Sequence, residues 1–524
     1  MLKKRTILLF SLLFAVVFGQ AQSRQAPKKI VQPEDAEEHF SHTNYVMALP
    51  IYKELLKQEP KSIKYNYRAA LCYLNTNIDK SQAVHFLEFI TKIPDAKFDN
   101  EVWYDLGRAY HYSYKFDEAI KAYSTYKEKA GNKEITKANR QIEMCNNGKE
   151  LMKFPLNISF ENCGKSVNSE FPDYYPLVTK DESSLVFTSR RRENVGARLE
   201  FDGYYPSDIY LSIAKEGVWS KAKGVGTYVN TAYDEQAVGI SSDGKSIVVY
   251  IDHIDSAGNL YVSEIKRGSY QRIVRLNENV NKGFERSGSI SPEGDIIFFA
   301  SDREGGLGET DIYMSRKLPT GQWAKAQNLG ANINTPYRED FPFLVEDGKT
   351  LYFASQGHSS MGDYDLFKSI WDEESNTWSK PVNLGYPINT PDEERCISFT
   401  ENNRVGYVSA VRKGGLGDLD IYRVTFNDAE QRYAIVTGYV TPSDSIPIKD
   451  FRAVITATDM KTKKEYSYIP SKSTGKYVMA LTPGKYAITV EAAGYKTLAD
   501  AVVVFDMGSF QPEMDKNFVL SKNQ

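Results

Sequence analysis

Residues 155 to 428 repeat one pattern five times, and this repeat constrains the fold more than any other feature. Each copy opens with a β-branched residue followed by an asparagine. These asparagines lie 62, 51, 53 and 55 residues apart, at Asn168, Asn230, Asn281, Asn334 and Asn389. An acidic turn before an apolar strand follows, as in Ser242-Asp243-Gly244 before 247–250, and Glu346-Asp347-Gly348 before 351–354. A short strand led by Asp208, Asn259, Asp311, Asp365 or Asp420 comes next, so each copy predicts about four strands.

Four-stranded units at this spacing are typical of a β-propeller, in which radial repetition leaves only short sheet edges. The repeat resembles the PD40 class of WD-like repeats, as in the TolB propeller. A fourth strand begins near an aromatic residue in four copies, but none follows the strand at Asp420. We therefore predict that the strand 156–160 crosses over to complete the last sheet. The expected fold of residues 155–428 is a closed ring of five blades.

The segment 33–152 has apolar residues at helical steps of three and four. Its marker alanines, Ala48, Ala83 and Ala119, are 35 and 36 residues apart. The third copy has the pattern Trp-x2-Leu-Gly-x2-Tyr at 103–110, which resembles the tetratricopeptide repeat. We predict three helical hairpins and a capping helix over 134–153. The resemblance implies either a peptide-binding groove or a spacer, and the sequence does not choose between them.

The C-terminal segment, 433–521, alternates apolar and polar residues in short runs, which predicts a β-sandwich. Its glycine turns at Gly475, Gly484 and Gly494 resemble those of the regulatory-like domain of carboxypeptidases, a transthyretin-like fold. No set of zinc ligands accompanies the resemblance. It therefore implies an accessory domain rather than a peptidase.

Residues 1–21 have basic residues, then an apolar stretch, then small residues, as a secretory signal peptide does. Gln22 to Arg24 stand where a lipoprotein would have its cysteine, so we expect export to the periplasm without a lipid anchor. No later stretch approaches the roughly 20 apolar residues of a membrane helix. The net charge of −3 also argues against nucleic acid as a partner.

Four cysteines are too few for a disulfide scaffold in a chain of this length. Cys145 and Cys163 flank the junction between the helical and β segments, so a bridge between them is one possibility. The preferred interpretation is that the two thiols are unrelated and are buried in separate cores.

Residues with catalytic, metal-binding or cofactor-binding potential are sparse. The chain has neither Gly-x-Ser-x-Gly nor His-Glu-x-x-His, and His39 and His42, the closest histidine pair, are read as a polar helix face. The glycine-rich loops 303–308 and 412–417 lack the Lys-Ser/Thr of a phosphate-binding loop, so we predict turns with positive φ. The repeated aspartates are expected to bind loop amides rather than calcium. We predict no catalytic residue, cofactor or metal, and leave paired acids at the propeller axis as an alternative.

The order of modules resembles the OmpA-family envelope proteins of Bacteroidota, which include the PorE-like component of type IX secretion. Those proteins usually end in an OmpA-like peptidoglycan-binding domain, which this sequence lacks. The resemblance implies a non-catalytic periplasmic scaffold at the outer membrane, with protein partners in secretion, gliding or outer-membrane assembly. The alternatives are a peptidoglycan-binding or glycan-binding module and a propeller hydrolase. A closed ring without reactive groups is expected to offer binding surface and little else.

Overall fold

A computed structural model describes residues 32–523 apart from 96, 132–134, 197, 242–243, 254–255, 267, 346–347, 401–403, 428–432, 445 and 505–512. The predicted signal peptide, residues 1–21, lies outside the described residues. So do the predicted turn residues at 242–243, 346–347 and 402–403. Every helix in the described part of the chain is too short or too polar to span a bilayer.

The first part of the chain is helical. Its helices are α1 (Pro33–Ser41), α2 (Tyr45–Gln58), α3 (Ile63–Leu74), α4 (Ala83–Thr91), α5 (Glu101–Tyr112), α6 (Phe116–Ala130) and α7 (Ile135–Leu151). Asn44 and Ser62 cap α2 and α3, because their side chains accept hydrogen bonds from the free amides of the first turn. A Cβ on Gly107 would lie 2.5 Å from the Tyr123 ring, so glycine lets α5 and α6 pack closely. The predicted helical segments are confirmed.

Residues 158–426 form strands that are short and antiparallel. They are β1 (Ile158–Asn162), β2 (Asp173–Val178), β3 (Ser184–Ser189), β4 (Asp208–Lys215), β5 (Val218–Trp219), β6 (Lys223–Gly224), β7 (Asp234–Ile240), β8 (Ser246–His253), β9 (Ser256–Lys266), β10 (Ser269–Tyr270), β11 (Val274–Arg275), β12 (Glu285–Ile290), β13 (Ile296–Ser301), β14 (Asp311–Arg316), β15 (Gln327–Asn328), β16 (Glu339–Leu344), β17 (Thr350–Ser355), β18 (Asp365–Asp372), β19 (Thr377–Trp378), β20 (Val382–Asn383), β21 (Ile397–Phe399), β22 (Val405–Ala410) and β23 (Asp420–Phe426).

These strands form five sheets, taken in chain order. Their strand orders are β2-β3-β4-β5, β7-β8-β9-β10, β12-β13-β14-β15, β16-β17-β18-β19 and β21-β22-β23-β1, with β6, β11 and β20 added on β4, β9 and β18. The predicted crossover is confirmed, since β1 pairs with β23 and Phe160 lies opposite Val424. The strand itself lies two residues later than predicted.

The repeated asparagine joins each sheet to the loop that begins the next copy. The side chain of Asn230 accepts from the amide and donates to the carbonyl of Ile209, both at 3.0 Å. Asn281, Asn334 and Asn389 bind Leu260, Ile312 and Leu366 in the same way. Asn168, from the first copy, binds Ile421 of the last. The first and last sheets are therefore joined by the same contact as sequential sheets, which is a propeller arrangement.

The C-terminal part contains two further sheets. Their strands are β24 (Ala434–Pro442), β25 (Ala453–Asp459), β26 (Glu465–Tyr468), β27 (Lys476–Leu481), β28 (Gly484–Ala492), β29 (Leu498–Val504), β30 (Glu513–Asp515) and β31 (Phe518–Leu520). One sheet contains β24, β27, β30 and β31, and the other has the order β26-β25-β28-β29. Side chains of both sheets, such as Val436 and Ile488, bury a common core. The strands predicted from the alternating pattern are present, and β26 and β30 are additional.

Candidate functional site

A cavity of about 900 Å³ lies between the helical part and the centre of the five sheets. Its helical side is formed by the loop 74–81 after α3 and by Arg108, Tyr112 and Tyr114 around the end of α5. Its other side is formed by the first strands of the sheets and the loops beside them. The volume is in the range of small-ligand sites. The ring therefore has a cavity at its centre in addition to its outer surface.

One position of the repeat supplies the axial side of this cavity. Each copy has an acid four or five residues after its repeated asparagine, here called the marker acid: Asp173, Glu235, Glu285, Glu339 or Glu394. The residue directly after it lines the cavity in every copy, and the set is Tyr174, Gln236, Arg286, Asp340 and Arg395. The preceding acid is held inside the fold; Glu339, for example, accepts hydrogen bonds from the amide and hydroxyl of Thr335. Side chains alternate along a strand, so a buried acid places its neighbour toward the axis. This signal is present in the sequence. Every copy has the acid, whereas the residue after it varies and is of four types among the five copies.

The axial carboxylate, Asp340, is fully buried and engaged. It accepts a hydrogen bond from Ser287 and forms an ion pair with Arg395 at 3.3 Å. Arg395 also pairs with Glu393. The Asp340 carboxylate thus already has two partners within the fold.

The cavity also combines aromatic rings with polar groups on both sides. Tyr175 packs on Phe341 at 4.2 Å between ring centroids, and Tyr204 donates to Asp418 at 2.7 Å. Asn77 of the helical loop also donates to Asp418, while Lys80 pairs with Asp392. Aromatic faces combined with a few hydrogen-bonding groups are typical of ligand-binding sites.

A buried arginine fixes the helical part over the ring. Arg140 of α7 donates to the carbonyls of Gln356, Gly357 and His358 and to the hydroxyl of Ser360. Nearby, Asn147 donates to the Ser360 carbonyl at 2.8 Å. The loop 356–361, which links β17 to β18, is therefore held by side chains of the helical part. We call this contact between α7 and the loop 356–361 the joint. Because its groups are buried, the joint determines where the cavity's helical side lies.

The C-terminal sheets meet the same region. Lys476 at the start of β27 pairs with Glu143 of α7, and Lys380 pairs with Asp515 of β30. An apolar cluster also contains Cys145 of α7, Met361 of the loop and Ile435 of β24. All three parts of the chain therefore meet beside the loop 356–361.

Two buried histidines at this joint predict a loss of stability in acid. His111 and His358 each have Nε2 2.8 Å from a main-chain carbonyl, of Met361 and Ile333 respectively. Burial lowers the pKa of each to about 4, against about 6.5 in an unfolded chain. Their contribution is thus complete above pH 6.5 and decreases as pH falls toward 4, by about 2 kcal/mol per histidine at pH 5.

The measurement is denaturant unfolding at pH 7.5 and pH 5. We expect His111→Gln, whose amide can donate to Met361, to lose about 2 kcal/mol less than the wild type between these pH values. Equal losses in the two proteins would contradict a neutral, buried His111.

The other predicted residues have structural roles. Asp311 accepts from the amides of Leu307 and Gly308, so the glycine-rich loop is filled by its own carboxylate. Asp208, Asp365 and Asp420 bind loop amides likewise, as predicted. The predicted positive φ is present at Gly305 and Gly414. His42 stacks on Phe201 of the loop 190–206.

The cysteines follow the preferred interpretation where the structure tests them. The alternative of a Cys145–Cys163 disulfide is wrong, because both thiols are free. Cys145 packs in the cluster at the joint and Cys163 against the core of the first and last sheets. Among the described residues, no group of three or more His, Cys, Asp or Glu side chains is arranged to hold a metal.

No protein-family model matches the chain, and neither does a curated protein. Solved structures that resemble it include TolB from Acinetobacter baumannii, at 17% identity and a TM-score of 0.32, covering 50% of this chain and 56% of that one. An α-L-arabinofuranosidase from Lactobacillus brevis is similar at 12% identity and a TM-score of 0.33, covering 49% and 90%. The chain thus spans little more than half of that TolB. Likeness at this level leaves activity to be argued from the residues of the cavity.

Proposed function

We propose that this chain is a non-catalytic adaptor of the cell envelope whose axial cavity holds a segment of a partner protein. The observation that carries the proposal is the Arg140 joint, which holds the helical part over the propeller axis and makes one cavity from both. A ring with a fixed cover can hold a chain segment between two surfaces. Neither surface alone would enclose it.

The modules in this proposal are those of the sequence analysis. Residues 33–152 are a tetratricopeptide array, 155–428 a five-bladed propeller and 433–521 a transthyretin-like sandwich. The partners are outer-membrane or periplasmic proteins, since the sequence resembles Bacteroidota OmpA-family and PorE-like envelope proteins and begins like an exported chain. Roles in type IX secretion, gliding or outer-membrane assembly are compatible with such an adaptor. Peptidoglycan is the second candidate partner.

The test compares the wild-type chain with a variant whose cavity is filled. Ile78 lines the cavity and is 41% exposed, so Ile78→Trp adds bulk there without disturbing a core. Val274, 66% exposed and outside the cavity, provides the matched control Val274→Trp. We expect affinity capture from envelope extract to recover one partner protein in constant ratio with the wild type and the control, and at least tenfold less with Ile78→Trp. Equal recovery with all three proteins, or recovery of glycan alone, would contradict the proposal.

A hydrolase is a second candidate, and one observation favours it. Burial raises the pKa of Asp363, a cavity carboxylate that accepts one hydrogen bond from Gln356. A carboxyl group with a raised pKa can act as a general acid. Its expected partner would be Asp340, which is engaged by Arg395. Release of sugars or peptides from envelope material by the wild type, and its loss in Asp363→Asn, would favour this candidate over the adaptor.

A further inference from the structure

Arg286 stands apart from the other cationic groups of the cavity. It follows the marker acid Glu285 in β12 and lies at the axial side of the cavity. Its guanidinium carbon is 4.8 Å from the centroid of the Phe284 ring. Among the described residues, it has neither an ion-pair partner nor a hydrogen-bond acceptor.

The other basic residues of the cavity each have a partner among the described residues: Arg108 pairs with Asp105, and Arg412 donates to the Pro387 carbonyl. Arg395 pairs with Asp340 and Glu393, Lys80 with Asp392, and Arg190 with Asp202. The guanidinium of Arg286 therefore presents donors to the cavity that no described residue uses.

The carboxylates of the cavity do not meet this requirement. Each of them already accepts a hydrogen bond or an ion pair from another described residue; they are Asp79, Asp340, Asp363, Asp392, Glu393, Glu394 and Asp418. None of these carboxylates is bound to Arg286, so its donors remain open to a ligand.

Two polar side chains lie in the same part of the ring. Gln236 of β7 is paired in register with Tyr250 of β8, and both line the cavity. Burial raises the pKa of the Tyr250 hydroxyl, and the positive charge of Arg286 acts in the opposite direction. An amide and a phenol beside a free guanidinium form a suitable set of donors for a carboxylate.

We infer that the axial end of the cavity receives one carboxylate of the partner's bound segment, with Arg286 as its cation and Gln236 and Tyr250 as flanking donors. This inference rests on the proposed function, which supplies the polypeptide. The carboxylate has two possible sources in a polypeptide: an Asp or Glu side chain, or the C-terminus.

The test uses the full-length chain and two pools of random-sequence octapeptides, one with free and one with amidated C-termini. Bound peptides are separated by gel filtration and identified by mass spectrometry. We expect the wild type to enrich acidic peptides from both pools if side chains bind, and to retain peptides from the free pool alone if the C-terminus binds. Arg286→Gln should weaken retention about tenfold or more, the usual effect of losing a charge-assisted hydrogen bond. Arg286→Glu should shift enrichment to peptides rich in Lys and Arg.

The matched control is Arg272→Gln, an exposed arginine outside the cavity, which should select peptides as the wild type does. Thermal unfolding of each variant establishes that it is folded. Retention without preference for carboxylates, or a preference unchanged in Arg286→Glu, would overturn the inference and leave the proposed function in place. If the wild type retains no peptides at all, or if Ile78→Trp retains as many as the wild type, the proposed function fails as well.

Discussion

Replacing Arg140 with alanine is expected to destabilise the chain by about 3 to 5 kcal/mol, the usual cost of removing one partner from a buried charged network. The side chain of Arg140 is 7% exposed. Its loss leaves the carbonyls of Gln356, Gly357 and His358 without their donor and Glu143 without one of its cations. The free energy of unfolding, measured with denaturant, gives the magnitude. Faster hydrogen exchange in α7 would place the change at the joint.

Arg192→Ala is the matched control, since Arg192 is exposed in the loop 190–206. It should change the free energy of unfolding by less than about 0.5 kcal/mol. If Arg140→Ala behaves like this control, the helical part is not held over the ring by the contact described above.

Replacing Gly417 with valine is expected to cost about 2 to 3 kcal/mol, because overpacking forces main chain apart. A Cβ at Gly417 would lie 2.3 Å from the carbonyl oxygen of Glu170, which joins the last sheet to the first. The free energy of unfolding and hydrogen exchange at Asn168 and Ile421 would be measured together. We expect both amides to exchange faster in the variant.

Gly308 provides an internal comparison, because its Cβ would lie 2.2 Å from the Thr335 carbonyl, between the third and fourth sheets. In a closed ring, Gly308→Val and Gly417→Val disrupt the same kind of contact and should cost similar free energies. A large cost for Gly308→Val with little cost for Gly417→Val would mean that the first and last sheets are not joined.

The propeller could be predicted because the sequence repeats the groups that build it. Asn168 and Asn389 each bind the main chain of a neighbouring strand in the same way. The last copy lacks a fourth strand and the first copy has one extra strand before Asn168, so pairing of that strand with β23 could be predicted. Alternation likewise located most strands of the C-terminal sheets. These signals are local or periodic, so they survive without any knowledge of tertiary contacts.

The joint and the cavity could not be predicted in this way. Arg140 binds main-chain carbonyls more than 200 residues away, and a carbonyl has no signature in the sequence. His111 gave no indication of burial for the same reason. The axial position was readable in principle, since Arg286 and Asp340 follow invariant acids. The sequence does not show that the helical loop 74–81 lies opposite this position and forms a cavity with it.

Photo-crosslinking in the cell envelope tests the central claim most directly. Tyr114 lines the cavity and is 41% exposed, whereas Tyr228 is 59% exposed and lies outside it, so a benzoylphenylalanine at each position gives a matched pair. The account predicts that the probe at 114 crosslinks to one segment of one partner protein, that Ile78→Trp abolishes this crosslink, and that the probe at 228 does not form it. A crosslink of equal yield from both positions, or one from 114 that survives Ile78→Trp, would contradict a cavity that binds a partner's segment.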